Sequence, residues 1–370
     1  MTQRIVLMTG QEMSLLRNGQ MTPLNSEFIA RFEKNMNELE NKYEWRSSGA
    51  GAQFTRSQNP FAGAAREQAR IAGVCEMDGR LVYAVNFGQR CGLYSMDVDS
   101  PGRGESLIFS QMNQFIGGIS ARAGRMTLSV SSPMGRSSIA LMSKDSADVS
   151  IITEGDVRDT DPSFSRDGRS IYYASAGLGR NEEGVLLAVG PSAILRLDMD
   201  SGALSELPSD ENYDYLRPRE AADGTLYCLR RPHRQPKSER RSPLSSFGDF
   251  FRGMALMGRI AAGKAPQKPE EKKQGNGTMT LDGMNIDAVK AENENAQAGE
   301  EHPGIAPREW SLVKLTGGGW EAVVPGVVDY AFAGENIVVS NGKYVLEIQP
   351  DGKKKPLAKA EGVIRMAVME

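Results

Sequence analysis

The chain has 370 residues, with 44 Lys and Arg against 47 Asp and Glu, a formal net charge of -3, and 39% hydrophobic residues. That balance excludes nucleic-acid binding driven by whole-molecule charge, and the apolar content is that of an ordinary globular protein with an ample core. No stretch approaches the roughly 20 apolar residues of a spanning helix, and the apolar run near Met1 is too short for a secretory signal. The expectation is a cytoplasmic protein that does not cross a membrane. Cys75, Cys91 and Cys228 are few and unpaired in spacing, which fits a reducing compartment, and they read as small buried hydrophobes.

In chain order, the first elements are short strands at Ile5-Val6-Leu7, Glu12 to Leu16 and Pro23-Leu24, with a turn at Asn18-Gly19. A helix follows after the potential caps Asn25 and Ser26, because Phe28, Phe32, Met36, Leu39 and Tyr43 recur at helical spacing among Glu, Lys and Asn. Its apolar stripe is expected to pack on the body of the fold. From there on one unit repeats: a strand, a tight turn, a second strand and a third. The clearest copy runs Asp161-Pro162-Ser163-Phe164-Ser165-Arg166-Asp167-Gly168-Arg169-Ser170-Ile171-Tyr172-Tyr173-Ala174. An Asp-Gly between apolar runs is a strong hairpin signal, since glycine takes positive φ freely and the aspartate braces the turn.

Fainter copies occur at Met77-Asp78-Gly79-Arg80-Leu81-Val82-Tyr83, at Gly124 to Leu128, at Arg217-Pro218 leading to Asp223-Gly224-Thr225-Leu226-Tyr227, and at Ala333 to Val338. Third strands are legible at Gly92 to Asp97, Ser138 to Met142, Ala193 to Asp198, Ser311 to Leu315 and Tyr344 to Ile348. The last strand, within Gly362 to Val368, has no later partners, and the amino-terminal strands lack an innermost one. The two ends are therefore expected to complete one sheet together, which removes an exposed edge and ties both termini down.

The Asp161 to Ala174 block resembles the repeat of TolB-like six-bladed β-propellers, with Arg166 where that family usually carries proline. The resemblance implies an all-β fold: one six-bladed propeller over residues 1–370, closed by the amino- and carboxyl-terminal strands in a shared blade. It is specific for fold rather than function. The cytoplasmic expectation departs from the periplasmic setting of TolB.

Three insertions interrupt the repeat: residues 25–70 (the helix and a loop), 176–191 (a loop) and 232–307. All three fall in links that open on one face, leaving the other with short turns and making the decorated face the expected working surface. The largest insertion is preceded by Arg230 and Arg231 and continues the basic run with Arg234, Lys237, Arg240 and Arg241. It then enters an apolar segment in which Phe247, Phe250, Phe251, Met254 and Met257 share a helical face while Arg252 and Arg259 lie elsewhere on the wheel. A basic run beside an amphipathic helix is the combination that lies in an anionic membrane interface; the same face could instead pack on the propeller or dock on a protein. Gly263 to His302 is polar and expected to be largely disordered, with room for a short helix near Met284 to Ala296.

Chemistry is thinly represented. His233 and His302 are the two histidines, both in the expected mobile insertion, and the sequence offers no nucleophile elbow, metal motif or cofactor signature. Asp156, Asp159, Asp161, Asp210, Asp214 and Glu361 fall near the mouths of inner strands. They could serve a lactonase- or sugar-active propeller enzyme through a carboxylate or metal site in the channel. The favoured expectation is a monomeric, non-enzymatic scaffold with no catalytic residue, cofactor or metal, whose basic arm meets a protein partner, an anionic membrane surface, or both. A soluble peptide adaptor is the third reading.

Overall fold

The computed structural model describes residues 4–47, 68–101, 104–132, 135–144, 146, 148–234, 278–349 and 352–369. Strands β1 (Arg4–Met8), β2 (Met13–Arg17) and β3 (Gln20–Pro23) precede helix α1 (Glu27–Ser47). Next come β4 (Ala69–Met77), β5 (Arg80–Phe87), β6 (Arg90–Met96) and β7 (Ser106–Met112). They are followed by β8 (Phe115–Arg122), β9 (Arg125–Ser131), β10 (Ser137–Ser143) and β11 (Val149–Ile151). β12 (Val157–Phe164), β13 (Ser170–Arg180), β14 (Leu186–Val189), β15 (Ala193–Asp198) and β16 (Leu204–Glu206) occupy the middle of the chain. β17 (Tyr213–Glu220) and β18 (Leu226–Pro232) are separated from β21 (Ser311–Thr316) and β22 (Gly319–Pro325) by the hairpin β19 (Thr278–Leu281) and β20 (Met284–Asp287) and by helix α2 (Ala288–Gln297). β23 (Asp329–Ala333), β24 (Asn336–Ser340), β25 (Tyr344–Ile348), β26 (Lys354–Lys359) and β27 (Arg365–Met369) complete the chain.

The strands pair as four-stranded antiparallel units: β4 to β7, β8 to β11, β12-β13-β15-β16, β17-β18-β21-β22, and β23 to β26. The second and third of these are joined by one parallel bridge, Ser137 to Arg158. The terminal sheet has the order β27-β1-β2-β3, with Ile5 opposite Val368 and Leu7 opposite Met366, so the tail supplies the strand that the head lacks. Turn chemistry sets these registers. Asn18-Gly19, Asp78-Gly79 and Ala123-Gly124 each place two successive residues at positive φ, the geometry that matches the natural twist of two-residue hairpins. At Asp167-Gly168 only the glycine is left-handed, at φ 71°. There the Asp167 carboxylate accepts from Ser165 Oγ at 2.6 Å and the Arg169 N–H at 3.0 Å, bracing the turn.

Alternation along each strand sends side chains to both faces, and each face meets a neighbouring sheet. Val6 and Leu15 pack with Leu81 and Tyr83, while Val82 and Leu93 pack with Ile116 and Leu128. Ile139 meets Ile171 and Tyr173, and Ala174 and Ile194 meet Tyr215 and Val313. Leu229 and Leu312 meet Tyr330 and Val339. Val338 and Val345, finally, meet Ile5, Leu7 and Met366 of the terminal sheet. Cys75, Cys91 and Cys228 are buried free thiols within this packing, as their spacing suggested.

Of the insertions, α1 is capped as its sequence implies: Ser26 Oγ accepts from the Ile29 N–H at 3.1 Å, and Glu105 accepts from the N–H groups of Glu27 and Phe28. Phe28, Ile29 and Phe32 pack against the first core, with Phe32 4.7 Å from the Phe87 ring, whereas Leu39 farther along is 42% exposed. Residues 176–191, expected to form a loop, instead extend β13 and fold back as β14. Of the Gly263 to His302 stretch, expected to be largely disordered, residues 278–302 are ordered, with α2 at Ala288–Gln297 where the sequence leaves room for a short helix near Met284 to Ala296 and with the unexpected β19–β20 hairpin before it. Leu281 and Ile286 of the hairpin are buried, and Asp287 caps α2 by accepting from the Lys290 N–H.

Candidate ligand-binding channel

A cavity of about 330 Å³ is lined by β4, β8, β12, β17, β23 and β27, the innermost strand of every four-stranded unit. The walls lie towards the carboxyl ends of β4, β8, β12 and β17. Their rim carries exposed Arg122 and Gly334 beside half-buried Glu76 and Glu220. This is the end of the short turns, so the concave site lies opposite the end that carries the largest insertion.

Inner-strand bulges shape the walls. β4, β8, β12 and β17 shift register between Ile71 and Gly73, Ile116 and Ile119, Thr160 and Ser163, and Leu216 and Arg219. In β12 and β17 the extra residue precedes a proline and is left-handed: Asp161 at φ 50° and Arg217 at φ 55°. Asp161, placed by the sequence near the mouth of an inner strand, sits within β12 and lines the cavity. Gly118 permits the close approach of β8 to this bulge, because a Cβ there would lie 3.0 Å from the Asp161 Cα.

The far end of the channel is filled by a charge cluster built around the tip of the β19–β20 hairpin. Asp282 and Gly283, both at positive φ, form the tip. The Asp282 carboxylate pairs with Arg217 at 2.5 Å, Arg231 at 2.7 Å and Arg365 at 2.8 Å. Arg217 also pairs with Asp329 at 3.2 Å and donates to the Val328 carbonyl, and Asp329 accepts the Met366 N–H at 2.7 Å. Arg217 and Arg231 are 2% exposed and Asp329 is fully buried. Burial pushes the Asp282 carboxyl up, but the guanidiniums of Arg217 and Arg231 outweigh it and hold the group below the usual carboxylate range. At Asp161 burial wins and the carboxyl is raised despite Arg217. Burial lowers Arg217, and Asp282, Asp329 and Asp161 together reverse that and raise it.

The sequence-predicted basic site is divided by the fold. Arg231 is no surface contact: besides pairing with Asp282 it stacks 4.1 Å from the Trp310 ring centre. Arg230 lies 4.8 Å from the Tyr213 ring centre, and Arg234 pairs with Glu309 at the surface. Lys237, Arg240, Arg241, Phe247, Phe250, Phe251, Arg252, Met254, Met257 and Arg259 lie outside the described residues. Among the carboxylates weighed for chemistry, Asp159 accepts from Thr153 and Ser175 at 2.6 and 2.7 Å, and burial raises it against those bonds. Asp156 pairs with Arg136 and Arg180, Asp214 binds His233 and the Ser192 N–H, Asp210 holds the Asn212 turn, and Glu361 pairs with Lys359. His302 packs against the Tyr344 ring. No group of three or more potential metal ligands occurs among the described residues.

Sequence reasoning missed Arg219, Arg365, Asp282 and Asp329 as neighbours in the channel. The correspondence of Arg217-Pro218 with Asp161-Pro162 in the repeat was the available signal.

No protein-family model matches the sequence, and no curated protein matches it. Among solved structures, TolB from Acinetobacter baumannii is similar over 100% of this chain, with 13% identity and a TM-score of 0.51. This chain spans 66% of that protein. A putative TolB from Agrobacterium tumefaciens aligns with 82% of this chain and 90% of its own, at 13% identity and a TM-score of 0.37. The tricorn protease aligns with 99% of this chain and 36% of its own, at 13% identity and a TM-score of 0.43. The chain thus resembles TolB in fold, as a mostly β protein of the β-propeller kind.

Proposed function

We propose that the six sheets close into one six-bladed propeller, and that this propeller is a non-enzymatic scaffold presenting the 235–277 segment to an anionic membrane surface on the cytoplasmic side. Closure is supported by the terminal sheet β27-β1-β2-β3, by the apolar cluster joining it to β23 to β25, and by the cavity lined from all six sheets. The three buried free thiols suit a reducing compartment. No helix among the described residues is long and apolar enough to cross a membrane.

The observation that carries the scaffold reading is that residues 235–277 are bracketed by fixed points. On one side Arg231 and Arg234 are held by Asp282 and Glu309; on the other the β19–β20 hairpin is locked into the channel cluster. The described residues on both sides of the segment that carries Lys237, Arg240, Arg241, Phe247, Phe250 and Phe251 are therefore tied to the body of the fold. Each lysine or arginine near an anionic surface contributes about 1 kcal/mol of attraction, and aromatic side chains add apolar burial in the interface. Asp161, Asp282 and Asp329 all face guanidinium groups, an arrangement suited to structure rather than to proton transfer or cation binding.

The test is flotation with liposomes containing phosphatidylserine, using the full chain and a variant in which 235–277 is replaced by a short Gly-Ser linker. The full chain is expected to float, and less so as salt rises, while the linker variant stays at the bottom. Equal flotation of both would refute the membrane role, and binding to a membrane-bound protein but not to protein-free liposomes would replace it.

A further inference from the structure

Beyond the scaffold role, and independent of it, we infer that the channel is a binding site for a monocarboxylate with a compact apolar body, either a small organic acid or the carboxyl terminus of a peptide. The argument begins with charge. Within the contact network of the channel, Arg217, Arg219, Arg231 and Arg365 face Asp161, Asp282 and Asp329, four guanidiniums against three carboxylates. One positive charge is left over within that network. At the rim Arg122 stands with Glu76 and Glu220, so the surplus positive charge within is matched by a surplus negative charge at the mouth, five guanidiniums against five carboxylates over the whole site. At the mouth these two carboxylates disfavour multiply charged anions.

The unmatched charge is best assigned to Arg219. Arg217 and Arg231 are 2% exposed and tied to Asp282, and Arg365 holds Asp282 at 2.8 Å and Asp161 at 3.4 Å. Arg219 by contrast keeps 27% exposure, reaches Asp329 only at 3.4 Å, and lies 5.0 Å from the Tyr330 ring centre. Its Nη1 and the Nε of Arg217 beside it in the cavity wall have no hydrogen-bond partner among the described residues, and both atoms are closed off from solvent. A part-exposed guanidinium that rests on an aromatic ring and holds its carboxylate partner only loosely is placed to turn towards a second carboxylate, the planar group a guanidinium fork matches.

Backbone strain supports the same assignment. Arg217 and Asp161 occupy left-handed φ values that non-glycine residues adopt at a cost, and both lie in bulges of the cavity wall. Val74, Ile119, Phe332 and Met366 give the wall an apolar portion against which a small hydrophobic group can rest. The cavity volume of about 330 Å³ admits a small acid or the last residue or two of a peptide, and lies at the small end of ligand pockets.

The experiment uses the full chain and fluorescence polarisation of a fluorescein-labelled tetrapeptide pool ending in Leu, Val or Phe, prepared with free or amidated carboxyl termini. Propionate, isovalerate and inorganic phosphate serve as unlabelled competitors, and saturation-transfer NMR reads the acids directly. The free-carboxylate pool or the two acids are expected to bind, and Arg219→Met is expected to weaken binding at least tenfold, with Arg219→Lys intermediate and the thermal midpoint retained. Peptides binding at least tenfold more tightly than propionate identify a chain terminus as the ligand; comparable affinities identify a small acid. Equal binding of free and amidated pools, preference for phosphate, undiminished binding by a folded Arg219→Met protein, or no binding by 1 mM peptide and 100 mM acid each overturns the assignment.

Discussion

Replacing Asp282 by alanine tests whether the hairpin tip is a structural latch. The carboxylate is 11% exposed and is shared by three arginines, two of them 2% exposed. Removing one partner of a buried ion pair costs about 3–5 kcal/mol, because the remaining charge stays desolvated without compensation. Here the lower end applies. Arg217 keeps Asp329 and the Val328 carbonyl, Arg231 keeps the Val328 carbonyl and its stack on Trp310, and Arg365 keeps the Ile364 carbonyl and Asp161. A loss of about 3 kcal/mol, divided by a urea dependence of about 3 kcal/mol/M for a chain of this size, lowers the midpoint by about 1 M. Asp282→Asn preserves the left-handed turn, since asparagine tolerates positive φ, and should lose less.

Two assays separate global from local effects. Urea unfolding followed by tryptophan fluorescence reads the whole fold, and amide exchange over residues 278–287 reads release of the hairpin. The pH dependence carries a sign. A carboxyl whose folded pKa is lowered contributes stability that is fully present above its unfolded value, about 3.9, and is lost as pH falls through the folded value. Wild type should therefore lose stability below about pH 4 more steeply than Asp282→Ala, and the two curves should converge in acid. Unchanged urea midpoint, unchanged hairpin exchange and parallel acid limbs would refute the latch.

Three further outcomes follow from the packing. Glu105→Ala removes the acceptor for the Glu27 and Phe28 N–H groups and for the Tyr83 hydroxyl, so amide exchange over residues 27–33 should accelerate and stability fall by about 1–2 kcal/mol; wild-type protection there would count against the cap. Deleting residues 363–370 exposes the β1 edge and strips Val363 and Met366 from their core, so size-exclusion chromatography should show aggregates rather than a single sharp peak, and urea unfolding a broadened transition. Cys75 and Cys228 are buried and their thiols are pushed well up by desolvation, so Ellman's reagent should titrate neither until denaturant unfolds the chain; prompt reaction of either in native buffer would contradict the packing.

The sheet architecture was legible because its determinants are local. Asp78-Gly79 and Asn18-Gly19 fix turns, alternating apolar residues fix faces, and the head without an inner strand matched a tail without partners. The latch hairpin was missed although the same code is present in it: Met279 and Leu281, then Asp282-Gly283, then Met284 and Ile286. Its polar surroundings in the chain masked a signal only four residues long on either side. Register adds a second limit. The sequence places Arg217 and Asp161 in strands, but only the bulge decides which way their side chains face, and a shift of one residue moves a side chain to the other side of the sheet.

The channel cluster could not be read from any one repeat, because its members come from six separate places in the chain. Asp161, Arg217, Arg231, Asp282, Asp329 and Arg365 each look like an ordinary strand or turn residue, and no two of the carboxylates are near in sequence. What brings them together is the convergence of inner strands on one cavity, with the hairpin tip entering between them. The cluster adds polar links between sheets: Arg217 of β17 binds Asp329 of β23 and Asp329 binds the Met366 N–H of β27, both between sheets that also share an apolar layer, while Arg365 of β27 reaches Asp161 of β12 across the cavity. The sheets are therefore held by polar contacts around the cavity as well as by the apolar layers between them. Removing the charge of one of these six residues should weaken several sheets together, whereas a substitution in an interlayer core weakens the two it joins.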